Sequence, residues 1–371
     1  MKRLNCTKIR FVLVGVVGAM VLGGGSAKAD FTFGEPVNLG PPVNSESAEM
    51  LPCLSADGLE LYFGGYHGGY GEGDLCVIRR ASVSDNWGSP VNLGPVVNTP
   101  SIDLGPSLSV DGLELYFQSN RPGTMGKHDL WVTRRANRND PWGLPENFGP
   151  PVNSEADEYN PCLSADGLEL YFAFGQWDPP SDLRLAVTKR DTKDSPWGVP
   201  VSLGPVVNSW SCQDTPWISS DGLLLVFSDP WICSPRPGGF GGQDIWFTRR
   251  ATKNADWGTP VNLGPPVNTA LEEYCPMISA DGSTLYFTSY RYDGLAEDLC
   301  QAPIIPIVDF NGDGNIDTDD LVTMINNWGT SESLFDIGPM PWGDGVVDLE
   351  DLKVFIKYWE QENMPGNPQG N

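Results

Sequence analysis

The sequence predicts an all-β five-bladed propeller, with four antiparallel strands in each blade, followed by a small α-helical module. Three observations lead to this prediction. A Ser-x-Asp-Gly segment between apolar runs occurs five times, a Trp-Gly-x-Pro segment follows four of these copies, and two acidic loops each precede an amphipathic run near the carboxyl end. Repetition at a spacing of roughly 55 residues, without helical periodicity between the copies, is typical of propeller blades.

Each repeat supplies the strands of one blade. Asp-Gly is a turn dipeptide, and at Asp57 it joins the runs PCLS and LELYF, which is the pattern of a β-hairpin. A glycine-rich loop leads to a third run that begins with an acid, Asp74, and the segment from Trp87 gives a fourth. The same order recurs at the turn residues Asp111, Asp166, Asp221 and Asp281.

The fifth repeat lacks a fourth strand of its own, because the chain after Asp298 continues into IIPIVDFNGDG. The missing ending stands at the other end of the chain, where residues 33–39 read FGEPVNL and match WGSPVNL at Trp87. We expect this amino-terminal strand to complete the fifth blade, because pairing the first strand with the last blade closes the ring and removes an open sheet edge.

Residues 1–29 have the features of a secretory signal peptide. A basic start is followed by an apolar run from Phe11 to Gly25, and Ala27-Lys28-Ala29 is a small-residue cleavage site. The apolar run is shorter than the roughly 20 residues that cross a bilayer. We therefore expect secretion, to the medium, the cell surface or the periplasm, without membrane insertion. The propeller is predicted over residues 30–306, the helical module over 307–363 and a disordered tail over 364–371.

Charge and cysteine content narrow the classes of partner. The formal net charge is -25, which disfavours nucleic acid and anionic membrane surfaces as partners. Seven of the eight cysteines follow the signal segment, so at least one remains unpaired. Their positions do not recur in every repeat, and we interpret them as buried small side chains with one or two disulfides.

The repeats resemble the WD-like propeller repeats of TolB-type proteins. The likeness rests on Ser-x-Asp-Gly, on the Leu-Tyr-Phe that follows it and on the Asp-Leu-Trp after the glycine-rich loop, as at Asp129, and it covers residues 33 to about 303. It implies the fold, whereas propellers host both binding and catalysis.

A polar residue stands five positions after the Asn of each Pro-Val-Asn ending. It precedes the strand that lines a propeller's channel, so these side chains are expected either to cap the same turn in every blade or to form a polar ring at one mouth. Recurrence favours the cap, because a catalytic pair needs unlike environments. The pattern breaks at Gln213, which Asp214 follows. The positions are Glu49, Asp103, Glu158, Gln213 and Glu273.

Other candidates lie in individual loops. Trp177 and Trp231, in the loops of blades three and four, are candidates for stacking on sugar rings or on a partner. Arg121 shares a register with His67 and Arg291, and we expect these bases to pair with the acid that opens the third strand. With two histidines and no Ser-His-Asp set, hydrolysis by an activated nucleophile has almost no support.

The strongest chemical signal is the twelve-residue loop DFNGDGNIDTDD. Carboxylate, amide and carbonyl oxygens at positions 1, 3, 5, 7, 9 and 12 of such a loop surround one Ca²⁺ ion, and a glycine at position 6 permits the sharp turn. We therefore expect calcium as a cofactor. The ligand positions are Asp309, Asn311, Asp313, Asn315, Asp317 and Asp320.

A second, less regular copy reads GDGVVDLEDL. Positions 1 and 3 fall on Met340 and Trp342, whose side chains cannot bind calcium, so this site is weaker, reshaped to use Asp336, or only structural. The candidate ligands are Asp336, Asp344, Val346 through its carbonyl, Asp348 and Asp351.

Two such half-EF-hands in tandem resemble a dockerin module, the calcium-dependent plug that binds cohesin modules. The resemblance covers residues 308 to about 363 and implies a cohesin-like partner. By that likeness the recognition dipeptides at loop positions 10 and 11 are Thr318 with Asp319, and Leu349 with Glu350. Neither pair is the familiar Ser-Thr.

These features predict a secreted calcium-binding modular protein whose propeller recognises an extracellular polysaccharide or protein without catalysis, and whose second module docks or tethers it. One alternative is a glycoside hydrolase or lyase that acts on polysaccharide at the channel mouth. Another is a surface assembly protein. An asymmetric carboxylate pair in one deep pocket would favour the enzyme, whereas five equivalent acids around an open axis would favour binding.

Overall fold

Five antiparallel sheets surround a central channel in the computed structural model of the chain. The first strand of each blade contacts the first strand of the next, and the first strand of blade five contacts that of blade one, so the ring is closed. The structure describes residues 31–66, 69–177, 181–230, 232–290, 296–313, 315–330, 335–338, 343 and 346–363.

Blades one to four take their strands in chain order, as a hairpin repeat predicts. Blade one contains β3 (Glu49–Leu54), β4 (Glu60–Gly65), β5 (Asp74–Arg79) and β6 (Val91–Asn92). Blade two contains β7 (Asp103–Leu108), β8 (Glu114–Ser119), β9 (Asp129–Arg134) and β10 (Glu146–Asn147). Blade three contains β11 (Asp157–Leu163), β12 (Glu169–Gly175), β13 (Arg184–Lys189) and β14 (Val201–Ser202). After the single turn α1 (Gly204–Val207), blade four contains β15 (Asp214–Ile218), β16 (Leu224–Ser228), β17 (Ile245–Arg249) and β18 (Val261–Asn262).

The fifth blade confirms the predicted ring closure. Its own strands are β19 (Glu273–Ile278), β20 (Thr284–Ser289) and β21 (Asp298–Pro306), and the chain's amino end adds β1 (Phe31–Phe33) and β2 (Val37–Asn38). Both amino-terminal strands pair antiparallel with β21, with Val37 opposite Gln301 and Phe31 opposite Pro306. The closing segment is therefore two short strands on one long one.

The closing blade replaces a polar contact with an apolar one. In the other four blades an arginine after the third strand stacks on the tryptophan of the Trp-Gly segment, with the guanidinium 4.2 to 4.5 Å from the ring centre. In blade five, Ile304 lies opposite Phe33, and both belong to one buried cluster. This difference explains why the first ending of the chain begins with phenylalanine.

The Pro-Val-Asn asparagine fastens each blade. Asn44 accepts a hydrogen bond from the backbone N–H of Leu299 and donates to the carbonyl of the same residue, at 3.0 and 2.9 Å. Equivalent asparagines bind the third strands of the other blades in the same way. In blade five this contact joins the two ends of the propeller, because the two residues lie far apart in sequence.

The helical module contains α2 (Thr318–Asn326) and α3 (Leu349–Asn363). Met324 and Phe355 are fully buried in a small core with Val308, Ile337 and Val347. The predicted apolar faces are only partly covered, since the side chains of Ile325, Trp328 and Ile356 remain exposed. None of the helices in the described part of the chain combines the length and apolar character that a bilayer-spanning segment requires.

Candidate functional site

A cavity of about 980 Å³ lies at one mouth of the channel and receives residues from all five blades. That volume is in the range of small-molecule and oligosaccharide sites. Further along the first strands a second cavity of about 120 Å³ shares Leu51, Asn160, Thr215 and Cys275 with it. These shared residues therefore mark the level between the mouth and the rest of the channel.

The same backbone irregularity shapes the mouth in every blade. Each first strand shifts register against its neighbour within its first few residues, at the equivalent position of every blade. The residue at the shift has a positive φ, from 48° to 66°, which residues other than glycine seldom adopt. These residues are Leu51, Gly105, Asn160, Thr215 and Cys275.

The residue just before each bulge lines the cavity, and it differs from blade to blade. Successive side chains of a strand point to opposite faces, so this position faces the mouth while its predecessor turns away. The five residues are Met50, Leu104, Tyr159, Asp214 and Tyr274. Blade four is therefore the blade that places a carboxylate here.

The polar positions predicted for a ring at the mouth are the predecessors, and they are almost fully buried. None of the five is among the described residues that line the cavity. Four of them are carboxylates that accept hydrogen bonds from the backbone N–H and the hydroxyl of a Ser or Thr four residues earlier. We call these four the capping acids: Glu49, Asp103, Glu158 and Glu273.

Gln213 occupies the same position in blade four and behaves differently. Its side chain is fully buried, yet neither its amide oxygen nor its nitrogen has a hydrogen-bond partner within the described residues. The preceding residue, Cys212, forms a disulfide with Cys233, which ties the start of β15 to the loop after β16. The described free cysteines elsewhere are buried or half-buried.

Asp214 is the most unusual group of the mouth. Its side chain is 4% exposed, and Oδ1 accepts hydrogen bonds from Nδ2 of Asn160 at 2.8 Å and from the N–H of Thr215 at 2.7 Å. Burial outweighs these hydrogen bonds and raises the pKa of Asp214 to about 6. The pKa of this carboxyl group is therefore close to neutral pH, and the group faces a cavity.

Three rings pack together on one wall, which we call the aromatic platform: the ring planes of His128 and Trp177 are tilted by 40° and 56° to that of Tyr159. The ring centroid of Tyr159 lies 4.9 Å from that of His128 and 5.8 Å from that of Trp177. Asp157 positions two of these residues, because it accepts hydrogen bonds from the backbone N–H of His128 and the hydroxyl of Tyr159. Burial lowers the pKa of His128, which favours the neutral form of this ring.

The opposite wall carries glutamates and tyrosines from blades five and one. The hydroxyl of Tyr290 donates to Glu297, and Tyr66 and Glu272 line the cavity beside them. Burial, together with the charges of Glu297 and Glu273, raises the pKa of Glu272. This wall is thus acidic and the platform wall mainly aromatic, so the mouth has no fivefold symmetry.

The expected pairing of Arg121 is wrong. Its guanidinium donates to Oδ1 of Asp103 at 2.5 Å and to the carbonyl of Val97, and both charged groups are buried. Asp129, the acid that opens the third strand, instead accepts from backbone N–H groups and Asn147. An acid buried in the neighbouring first strand is the better partner because it needs a compensating charge.

Some candidates lie outside the described residues, namely His67, Arg291, Trp231 and Asp344. Trp177 is described and belongs to the platform. Phe240, in the same loop as Trp231, is 51% exposed and is not among the described lining residues.

The first acidic loop has oxygen donors suited to calcium, folded onto its own backbone. Asp320 accepts hydrogen bonds from the N–H groups of Phe310, Asn311 and Asp317, and Asp309 accepts from that of Gly312. Among the described residues no three carboxylates converge on one point. The donor chemistry therefore fits a hard cation, and its ligands would have to turn inward to bind one.

The second loop repeats this bonding in a shifted register. Asp351 accepts from the N–H groups of Ile337, Gly338 and Asp348, as Asp320 does in the first loop. Asp336 is therefore the counterpart of Asp309. The second loop, from Asp336 to Asp351, is four residues longer than the first, from Asp309 to Asp320. Gly343 has a φ of +75°, and a side chain there would collide with Asp336. The longer loop thus begins at Asp336 and not at Met340.

Comparison with known proteins gives a fold and no family. No protein-family model and no curated protein matches the sequence. The catalytic domain of the GH62 alpha-L-arabinofuranosidase from Coprinopsis cinerea matches with a TM-score of 0.50 and 10% identity, over 74% of this chain and 96% of that one. At this identity the match shows the fold alone.

Two further structures match more loosely. The GH43 endo-arabinanase from Bacillus licheniformis gives a TM-score of 0.47 and 15% identity, over 70% of this chain and 95% of that one. TolB from Acinetobacter baumannii gives 0.43 and 13%, over 70% of this chain and 55% of that one. The present chain thus spans about half of that TolB.

Sequence reasoning missed most of the mouth. The rings of His128 and Tyr159, the amide of Asn160 and the carboxyl of Glu297 do not stand at positions that recur with one chemistry. The signal available was strand alternation, because shifting the capping positions by one residue gives the cavity-lining set.

Proposed function

We propose that this protein is a secreted, calcium-binding modular protein whose propeller mouth binds an extracellular carbohydrate without cleaving it. The aromatic platform beside Asp214, inside a cavity of oligosaccharide size, carries this proposal. Aromatic faces pack on the C–H faces of sugar rings, and carboxylate and amide groups bind sugar hydroxyls. A protein ligand would need a broader contact surface than this concave site.

The hydrogen bonding around the carboxylates favours binding over cleavage. Glycoside hydrolysis needs two accessible carboxyl groups in unlike protonation states. Asp157 already accepts from the N–H groups of Lys127 and His128 through Oδ1 and from Tyr159 through Oδ2. Such a carboxylate is held as a structural acceptor, which leaves Asp214 without an evident catalytic partner on the platform wall.

A glycoside hydrolase is the second candidate, and a specific observation favours it. Asp214 has its pKa raised to about 6, as a general acid requires, and the mouth is asymmetric. The partner carboxylate would then have to come from the wall of Glu272 and Glu297.

The test uses the full mature chain, residues 30–371, with Ca²⁺ and a panel of soluble and insoluble polysaccharides. Retained protein and released reducing ends are both measured, for wild type, Asp214→Asn and the control Asp256→Asn, which alters an exposed acid of the same blade. We expect retention without release. Release that Asp214→Asn abolishes and the control preserves would establish the hydrolase instead. If no saccharide is retained or cut, the carbohydrate proposal is wrong, and Ca²⁺-dependent self-association would then indicate a surface assembly protein.

Calcium binding and docking are proposed for the helical module. Asp309, Asn311, Asp313, Asp317 and Asp320 would hold one ion. The carbonyl of Asn315, at position 7, would complete this first set. The ligands of the second ion would be Asp336, Asp344, Asp348 and Asp351, with the carbonyl of Val346 at position 7. Thr318, Asp319 and Leu349 have exposed side chains on the same module, and they would contact a cohesin-like partner with Glu350.

Calorimetric titration of the chelated full chain with Ca²⁺ tests the metal proposal. We expect Asp309→Ala to remove one binding event and Asp336→Ala to weaken the other, because each variant deletes a position-1 ligand. Asp319→Asn is the matched control, since loop position 11 is outside the ligand set. Equal calcium binding by Asp336→Ala and wild type would show that the second loop does not use the shifted register.

A further inference from the structure

The described lining of the mouth is predominantly acidic. Four carboxylates line the described part of the cavity, and Lys127 is the one lysine or arginine among the described lining residues. Burial lowers the pKa of His128, which disfavours a positive charge on this ring. An anionic ligand would therefore approach a wall of like charge, whereas an uncharged one would not. The four carboxylates are Asp157, Asp214, Glu272 and Glu297.

The polar atoms near the platform also suit a ligand that donates hydrogen bonds. Asp214 accepts through Oδ1 from two protein groups, and the buried Oδ1 of Asn160 has no partner within the described residues. Oε1 of Gln118 accepts a hydrogen bond from the backbone N–H of Asn160 at 2.7 Å, and this contact holds the side-chain amide of Asn160 beside Asp214. Hydroxyl groups satisfy such acceptors, whereas the carboxylates of uronic acids cannot donate to them at neutral pH.

The platform supplies the apolar half of the site. Tyr159 is buried at its centre, and the half-buried rings of His128 and Trp177 lie on either side. Both outer rings pack on Tyr159 with planes tilted by 40° and 56° to it, so three aromatic side chains of blades two and three share one wall. The half-buried rings offer apolar contact to sugar rings, and a cavity of about 980 Å³ has room for more than one of them.

From these observations we infer that the mouth binds an uncharged oligosaccharide chain along the aromatic platform and rejects chains of uronic acids. This inference rests on the proposed carbohydrate function and adds the ligand class. Trp177 is the outer contact of the platform and Asp214 the inner hydrogen-bonding contact. The wall that carries Glu272 and Glu297 repels anionic chains.

The central comparison is between hexagalacturonate and its methyl ester, which share one sugar chain and differ in charge. The full mature chain with Ca²⁺ is titrated calorimetrically with hexagalacturonate, with its methyl ester and with neutral gluco-, xylo- and arabino-hexasaccharides. We expect at least one uncharged chain to bind, and hexagalacturonate to bind at least tenfold more weakly than its methyl ester. The difference should shrink as salt is raised, because screening reduces the repulsion.

Variants locate the ligand. Trp177→Ala should weaken binding of the neutral chain at least tenfold and Trp177→Phe should restore most of it, while Phe240→Ala, an exposed aromatic outside the described lining, should change nothing. Thermal melts of each variant show whether it folds, and the comparison of charged and esterified ligands needs no variant.

Two results are distinguishable. Equal or tighter binding of hexagalacturonate, or neutral binding indifferent to Trp177, would overturn this inference and leave the carbohydrate function standing. No binding of any saccharide, charged or neutral, would remove both.

Discussion

The four capping acids and the carboxyl group of Asp214 stand at adjacent positions of the first strands, and their roles differ. The capping acids recur in four blades, are buried and bind the turn that precedes their own strand. Asp214 stands at the next position of the blade that lacks such a cap, and it lines the mouth. Recurrence thus marks the groups that build each blade, and departure from the repeat marks the group available to a ligand.

The difference follows from strand geometry. A capping acid and its successor point to opposite sides of the same strand, so one meets the turn and the other the channel. All five blades need the turn, whereas a ligand without fivefold symmetry needs an individual set of contacts. Three predictions test this division.

The largest expected effect is at a capping acid. Asp103→Ala should lower the free energy of unfolding by about 3–5 kcal/mol, because it removes the cap of Thr99 and leaves the guanidinium of Arg121 buried without its charged partner. Denaturant titration measures the loss.

The matched control is Glu146→Ala, which breaks an exposed ion pair with Arg134 in the same blade. We expect a change of at most about 1 kcal/mol there. Equal losses for the two variants would contradict a structural role specific to the capping acid.

A smaller, pH-dependent effect is expected at Asp214. Its pKa is about 6 in the folded chain and near 3.9 when unfolded, so the native state holds the proton more tightly. The resulting stabilisation is complete below about pH 4 and is lost as pH rises through about 6, and it amounts to roughly 3 kcal/mol.

Asp214→Asn should remove this contribution to the pH dependence. Unfolding free energies of wild type and variant, measured from pH 4 to pH 8, should diverge in favour of the variant as pH rises. Parallel curves would mean that the carboxyl is not desolvated as the structure shows.

The smallest effect is expected from completing the repeat. Gln213→Glu places an acid at the fifth capping position, where burial raises the pKa of the blade-three counterpart Glu158 to about 7, so the two adjacent carboxyl groups should titrate together at a higher pH than Asp214 alone. The midpoint of the pH-dependent stability should move upward accordingly. Asn254→Asp, at an exposed position of the same blade, should leave the midpoint in place.

The architecture could be predicted from the sequence because the local signals that determine it are repeated five times. Asp-Gly turns, alternating apolar runs and the displaced ending at Phe33 each constrain strand pairing over short distances, and the seam follows from counting strands. The replacement of the stacked tryptophan by Phe33 against Ile304 needed the structure, since it depends on register between the two ends of the propeller.

The mouth was less accessible for a physical reason. Its shape depends on a bulge whose positive φ falls on residues as different as Leu51 and Cys275, and no sequence rule places such a bulge there. In the platform likewise, His128 of blade two and Trp177 of blade three each pack on Tyr159 of β11, and no repeated sequence signal places these two loops beside that strand.

The long strand β21 also determines how the propeller would bear a mechanical load. A pull on the chain beyond Pro306 acts along β21, which is held by β20 on one side and by β1 and β2 on the other. Antiparallel hydrogen bonds run perpendicular to the strands, so such a pull shears many bonds at once instead of opening them singly. If the module anchors the protein while the mouth holds a ligand, the tension enters the propeller through a strand that resists it on both edges.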